Sequence, residues 1–320
     1  MRVTSGRKEP SNGSRLRGMK LRTNAKVNLF LRVLGERGDG YHEIETILHS
    51  VSLADDIEIV RTETGDVRIE MAYAEGLTGE IPGPQENIVH AAALSLIEAG
   101  ATNEGVLIRL VKRIPAGAGL GGGSGNAAGA LVALAQHWGL EIAPEDLLER
   151  AAAIGSDVPY CIEGGTSLAS GRGEKLTRLA SPSSMWFVLG ISDRPLPTRD
   201  VYEAFSAPSP DATHKSAPMT LALGAGDIGE IAACLHNDLE VPAFALRPEL
   251  PASKEKMLAA GALGALLSGS GPTLFALARD REHAFAVARA VEDDFARIEV
   301  VESRQACVEI SAPEETALLP

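Results

Sequence analysis

Apolar and polar side chains alternate from Leu21 through Lys26-Val-Asn-Leu-Phe-Leu-Arg-Val-Leu34, the period of a strand. Gly35 to Gly40 then predict a turn. Thr46–Leu53, Asp56–Val60 and Val67–Met71 read as three more strands. Glu86–Glu98 has helical spacing and meets Gly100 as a stop. Gly105–Ile114 alternates again, and the period turns helical at Ala127, Ala128, Leu131, Leu134 and Ala135. Pro144–Ala153 predicts a helix with proline and acids in its first turn, both favourable there, ended by Gly155. Strands resume at Gly165–Ala169 and Trp186–Ile191. Further helices are expected at 227–236, 249–259 and 281–294, and strands at 262–267, 273–278, 297–302 and 305–311. Residues 206–219, rich in Ser, Pro and Ala, predict a surface loop. The irregular order of strands and helices predicts an α+β fold in two domains, residues 19–172 and 173–312, with the boundary near 170–184.

Between the strand at 105–114 and the helix after it lies Pro115-Ala116-Gly117-Ala118-Gly119-Leu120-Gly121-Gly122-Gly123-Ser124-Gly125. Strand, glycine loop and helix together make a phosphate cradle. Glycine brings the backbone close to a ligand, and the N–H groups at the helix start face the anion. Three cradles compete. A Walker A loop needs Gly-Lys-Ser/Thr at its end, and no lysine follows these glycines. Gly117, Gly119 and Gly122 fit the dinucleotide spacing, but the loop opens with proline a third of the way along the chain, and Glu141 follows a helix rather than a second strand. The third pattern, Pro-x-x-x-Gly-Leu followed by Gly or Ser, matches throughout.

Composition narrows the partners. With 320 residues and 45% apolar side chains, a normal core is available. A net charge of −13 argues against a general nucleic-acid binder. The absence of an 18-residue apolar run argues against a membrane span. Cys161, Cys234 and Cys307 are scattered without metal-ligand spacing, which fits a reducing, cytoplasmic setting. Residues 1–18 are basic and lack an apolar stretch, so a disordered extension is expected there, with Met19 as an alternative start. Residues 313–320 are expected to be a tail.

Four other places carry candidate chemistry, each with a plainer alternative. Lys26 and Asn28 share one strand face, as an exposed edge strand also allows. Asp157, in Gly155-Ser-Asp-Val-Pro159, either caps a turn or aims a carboxylate into a cleft. Tyr41-His42, after Gly38-Asp-Gly40, either opens a strand or stacks on and hydrogen-bonds a base. Gly269-Ser-Gly-Pro-Thr273 is a hairpin turn or a backbone that must pass close to substrate or to the first loop.

In this order the motifs resemble the GHMP kinases over residues 20–310, and among them the enzymes that phosphorylate a cytidine diphosphate sugar alcohol. Residues 24–46, Gly155–Pro159, Asn237-Asp-Leu-Glu240 and Ser268–Thr273 carry the resemblance with the glycine loop. Asp39-Gly-Tyr-His-Glu43 separates this group from mevalonate, homoserine and galactose kinases, and the galactokinase Gly-Glu-His signature is absent. The resemblance implies an N-terminal domain like ribosomal protein S5 domain 2 and a ferredoxin-like C-terminal α/β domain. It implies ATP with Mg²⁺, a small-molecule acceptor, and a monomer or weak homodimer. Lys26 and Asp157 match the catalytic pair: Asp157 would take or orient the acceptor proton, and Lys26 would pair with it and stabilise charge on the transferring group. Residues 115–125 would hold the phosphates, and Asn87 would lie near the adenosine. Asn28 would contact the sugar alcohol; Tyr41 and His42 would contact the cytosine, with Tyr202 as a second aromatic. Where many members carry a second hydroxyl this chain has Gly125, so Ser124 or a water would serve the metal. Three rivals remain: another GHMP kinase of homoserine or mevalonate type, a nicotinamide oxidoreductase, and a nucleotide-binding module without chemistry.

Overall fold

The computed structural model describes residues 18–62, 64–77, 83, 86–98, 104–205 and 215–311. The chain opens with three strands, β1 (Met19–Glu36), β2 (His42–Thr62) and β3 (Val67–Tyr73), then helix α1 (Ile88–Glu98) and strand β4 (Gly105–Lys112). Helices α2 (Gly122–His137), α3 (Pro144–Ile154) and α4 (Val158–Glu163) follow, then strands β5 (Thr166–Gly171), β6 (Lys175–Arg178) and β7 (Trp186–Ile191). After them come α5 (Thr198–Glu203), α6 (Ser216–Ala225), α7 (Ile228–Ala233), the two-residue strand β8 (His236–Asn237), α8 (Glu240–Leu246) and α9 (Leu250–Ala259). The hairpin β9 (Gly264–Leu267) and β10 (Leu274–Ala278), helix α10 (Arg281–Ala290), and strands β11 (Arg297–Glu302) and β12 (Val308–Ile310) complete the described chain.

Two sheets result. In the larger, the order β12-β1-β2-β4-β3 is extended by β5 and β6 beside β2 and by β8 beside β1; the smaller runs β11-β7-β10-β9. Side-chain alternation distributes the core. Leu21, Ile57 and Ile108 face α1 to α4. Val27, Leu29 and Ile47 meet Phe187, Leu266 and Phe275 from the smaller sheet. The far face of that sheet, through Val188, Leu267 and Ala276, packs on Leu239, Met257 and Val287 from the C-terminal helices. Lys26 and Asn28 lie on the opposite face of β1 from Val27 and Leu29. That strand is interior, not an edge, since β2 and β12 or β8 flank it.

The expected α+β character is found, with differences that have local causes. The two strands expected at 46–53 and 56–60 are one strand. Pairing slips from Asn24↔Ala54 to Ala25↔Val51, so Ser52 and Leu53 bulge without ending β2. Asp55, left between the two expected strands, lies inside β2 and is fully buried. It is ion-paired with Lys112 and accepts the N–H groups of Arg113 (2.6 Å) and Ile114 (2.9 Å). Residues 216–219, expected as loop, open α6; α4, α5, α8 and β6 were not anticipated. Pro159, Pro218 and Pro242 sit in first turns, where the missing N–H costs nothing, and so read in sequence as breakers. The helix expected over 281–294 ends at Ala290 and is followed by a 3₁₀ turn, Glu292–Asp294. The expectations for residues 1–17, Gly100, 206–214 and 313–320 lie outside the described residues.

One buried group sets a pH dependence for the fold. His49 on β2 is wholly enclosed, its Nδ1 2.7 Å from Thr166 Oγ1 and its Nε2 3.0 Å from Ser303 Oγ. Burial pushes its pKa down to about 3. Between pH 6.5 and that value the unfolded chain therefore binds a proton that the folded chain refuses. Stability is complete above about pH 6.5 and falls as acid is added, by about 2 kcal/mol between pH 7 and pH 5 from this group. Urea unfolding at the two pH values measures the fall. His49→Gln should shrink it, and an unchanged difference would remove His49 as its source.

Candidate active site

The glycine loop leaves β4 and turns into α2 over residues 113–121. Gly117, Gly119 and Gly121 all take left-handed backbone angles, with φ of 65°, 75° and 70°. Two of them are also sterically required. A Cβ on Gly119 would stand 2.2 Å from the carbonyl oxygen of Ser268, and one on Gly121 would stand 2.9 Å from Lys26 Cγ. The loop is thus wedged between the β9–β10 turn and the stem of Lys26. It is tied to both: Lys26 N–H donates to Leu120 O at 3.0 Å, and Ser268 Oγ–H donates to Gly119 O at 2.9 Å. The first turn of α2 contains no acid, so the positive end of a 16-residue helix faces the cavity unopposed.

Lys26 reaches the same place from the sheet. Its side chain is 6% exposed, and its Nζ donates to Asn28 Oδ1 at 2.8 Å. Asn28 is held in turn: its Nδ2 donates to Thr46 Oγ1 at 2.9 Å, and that hydroxyl donates to Phe30 O at 2.6 Å. The relay fixes the ammonium in one rotamer. Asp157 Oδ2 lies 3.4 Å from Lys26 Nζ with the Asp157 side chain 34% exposed. Asp157 stands at the start of α4, but among the described residues its carboxylate makes no capping hydrogen bond. The carboxylate is therefore turned into the cavity beside the ammonium.

That cavity holds about 1150 Å³ and runs from the glycine loop to an aromatic wall. His42 packs on Tyr202 at 4.8 Å between ring centres, and Phe205 meets His42 edge-on at 6.4 Å. Desolvation, with the Asp157 charge adding to it, pushes the Tyr202 phenol above its ordinary range. Tyr41 is half exposed at the mouth, with the Arg172 guanidinium 4.8 Å from its ring centre. The fold brings together Lys26, Asn28, Tyr41, His42, Asp157, Tyr202 and residues 115–124, Ser124 included. Two candidates stand outside the cavity wall. Asn87 accepts the Val89 N–H at 3.0 Å through Oδ1, at the start of α1. Gly125 faces the Asn24 carbonyl and Cys307 Sγ inside the protein. Gly269 and Ser270, from the second small-residue loop, line the cavity too; Arg172, Thr46 and Phe205 also line it and were not anticipated. Arg172 sits in the Gly-Arg-Gly turn between β5 and β6, which in sequence signals only a turn.

Comparison with known proteins agrees with this geometry. Family models match residues 87–165 (GHMP kinases N terminal domain) and residues 219–297 (GHMP kinases C terminal). The 4-diphosphocytidyl-2-C-methyl-D-erythritol kinase of Pelotomaculum thermopropionicum is 44% identical over 260 residues, 81% of this chain and 89% of its own. This chain belongs to the GHMP kinases. Within them it falls in the 4-diphosphocytidyl-2-C-methyl-D-erythritol kinase family. The enzyme of that name from a Nocardioides species is 41% identical over 82% of this chain and 90% of its own. A solved 4-(cytidine 5'-diphospho)-2C-methyl-D-erythritol kinase superposes with a TM-score of 0.72 at 35% identity, covering 89% of this chain and 100% of that one. A homoserine kinase from Cytophaga hutchinsonii superposes with a TM-score of 0.77 at 22% identity, which speaks for the shared fold alone. Among the described residues of this GHMP kinase, no helix is long and apolar enough to cross a membrane.

Proposed function

We propose that this kinase transfers the γ-phosphoryl group of ATP to the 2-hydroxyl of 4-diphosphocytidyl-2-C-methyl-D-erythritol, a cytoplasmic step of the non-mevalonate isoprenoid route. One observation carries the reading: Lys26 and Asp157 converge at 3.4 Å beside the glycine loop, with Tyr41, His42 and Tyr202 lining the same cavity. Phosphoryl transfer asks a protein mainly for alignment and charge stabilisation. The amides of residues 117–122 and the start of α2 hold the polyphosphate. Asp157 accepts a hydrogen bond from the acceptor hydroxyl and takes its proton. Lys26 donates to the transferring group's oxygens as charge gathers on them, and Asn28 keeps the ammonium aimed while meeting the sugar alcohol. Among the described residues no cluster of three or more metal-ligating side chains stands near by. Ser124 is the residue whose hydroxyl would hold a Mg²⁺ brought with ATP, and the ion would supply charge neutralisation on the phosphates.

The aromatic wall supports a cytidylyl acceptor over homoserine or mevalonate, which carry no base to stack. Arg172 beside Tyr41 adds a cation where the acceptor's diphosphate would pass. The test is His42→Ala. KM for the cytidylyl acceptor should rise by about tenfold or more, as expected for one lost base contact of about 1–3 kcal/mol, with KM for ATP nearly unchanged. Equal rises in both would contradict the assignment.

A further inference from the structure

The Asn237-Asp-Leu-Glu240 motif has no place in the chemistry above, yet its first residue reaches the catalytic lysine through one intermediary. Asn237 is 5% exposed. Its Nδ2 donates to two carbonyl oxygens, Leu267 O at 2.8 Å and Gly269 O at 2.7 Å, and its Oδ1 accepts the Leu239 N–H at 2.9 Å. Every hydrogen bond shown for this side chain goes to backbone. Its own backbone is anchored to the strand that carries Lys26, because β8 pairs with β1 at Phe30 and Leu31 and the Asp238 N–H donates to Leu31 O at 3.0 Å.

Gly269 is the residue so gripped. It is left-handed, with φ of 57°. A methyl group there would lie 3.3 Å from Asn28 Oδ1, 3.4 Å from Lys26 Nζ and 3.5 Å from Gly119 O. Its backbone therefore faces the ammonium, Asn28 and the Gly119 carbonyl of the glycine loop together, and walls them in from one side. We propose that Asn237 is a positioning residue for phosphoryl transfer: by holding the Gly269 carbonyl it keeps that wall closed on Lys26 and Asn28. The inference rests on the kinase reading given above. A buried carbonyl that loses its donor seeks another, and the nearest loop is free to turn outward when it does. The ammonium would then lose the surface that confines it, which costs transition-state stabilisation more than ground-state binding.

Glu240, three residues on, supplies the control. It accepts the Leu267 N–H at 3.0 Å and pairs with Lys254 at 2.7 Å, so it supports the same strand end without touching Gly269. Asn237→Asp replaces both donors with acceptors at constant volume, and Asn237→Ser shortens the reach. Each should fold and lose kcat by about tenfold or more, with KM for ATP and for the cytidylyl acceptor within about threefold of the parent. Glu240→Gln should lower the thermal midpoint and leave kcat within about threefold. Parental kcat in either folded Asn237 variant would overturn the proposal. So would failure of both to fold, which would assign Asn237 to the general core, or an equal kcat loss in Glu240→Gln. A wild-type chain inactive on the cytidylyl acceptor would defeat the activity reading and this inference together; an active one with unaffected Asn237 variants defeats only the inference.

Discussion

Asp157→Asn should lower kcat by about 10²–10⁴, the usual worth of a general base, in a protein that is otherwise intact. The geometry makes this a clean substitution. The carboxylate is one-third exposed, holds no cap among the described residues, and is replaced by an amide of the same shape. Lys26 keeps its hydrogen bond to Asn28, so the ammonium does not collapse into the space left behind. The glycine loop is held by Lys26 and Ser268, so KM for ATP should stay near the parent's. Steady-state kinetics with a thermal melt alongside measure both quantities. Retention of kcat within about threefold would remove Asp157 from the proton transfer.

Gly119→Ala should be nearly as damaging for a different reason. Two costs add at this position. A left-handed conformation costs a residue with a Cβ about 1–2 kcal/mol. The new methyl would also meet backbone on more than one side, at 2.2 Å from Ser268 O, 3.0 Å from Gly271 O and 3.1 Å from Gly271 N. Backbone cannot swing aside as a flexible side chain does, so the glycine loop and the β9–β10 turn must separate. A combined cost of about 3 kcal/mol corresponds to about 100-fold in affinity, and it should appear in KM for ATP. Gly139→Ala is the matched control. Its φ of 64° is equally left-handed, but nothing lies within 4 Å of the added methyl, so only the conformational cost should be seen, in stability and not in KM. Equal kinetic effects in the two variants would show that loop packing is not what shapes the nucleotide site.

Much of this site was legible in the sequence because its residues break local rules. A lysine and an asparagine inside an otherwise apolar strand, a glycine string after a strand, and a carboxylate at a helix junction are each expensive or idle without a ligand. What sequence hid falls into two kinds. Arg172, Thr46 and Phe205 enter the cavity from elements far apart along the chain, and nothing in a Gly-Arg-Gly turn or a strand threonine distinguishes them from surface or core. The second kind is misread punctuation. Pro159, Pro218 and Pro242 resemble breakers but open helices, and Asp55 fell in the gap between two expected strands. Instead Asp55 is ion-paired with Lys112 and accepts a hydrogen bond from Asn126 in the interior, where only tertiary partners make a buried carboxylate affordable. Asn87 uses its side-chain oxygen on the start of its own helix, a local bond that its sequence neighbourhood does not distinguish from a ligand contact.

The central claim is that this chain phosphorylates a cytidylyl sugar alcohol with ATP. Incubating the purified protein with ATP and Mg²⁺ and one acceptor at a time, with products followed by phosphorus NMR, tests it directly. A new phosphomonoester on 4-diphosphocytidyl-2-C-methyl-D-erythritol, with homoserine and mevalonate left unreacted, is the predicted result. Efficient phosphorylation of either small acceptor, or none of the cytidylyl compound, would contradict it.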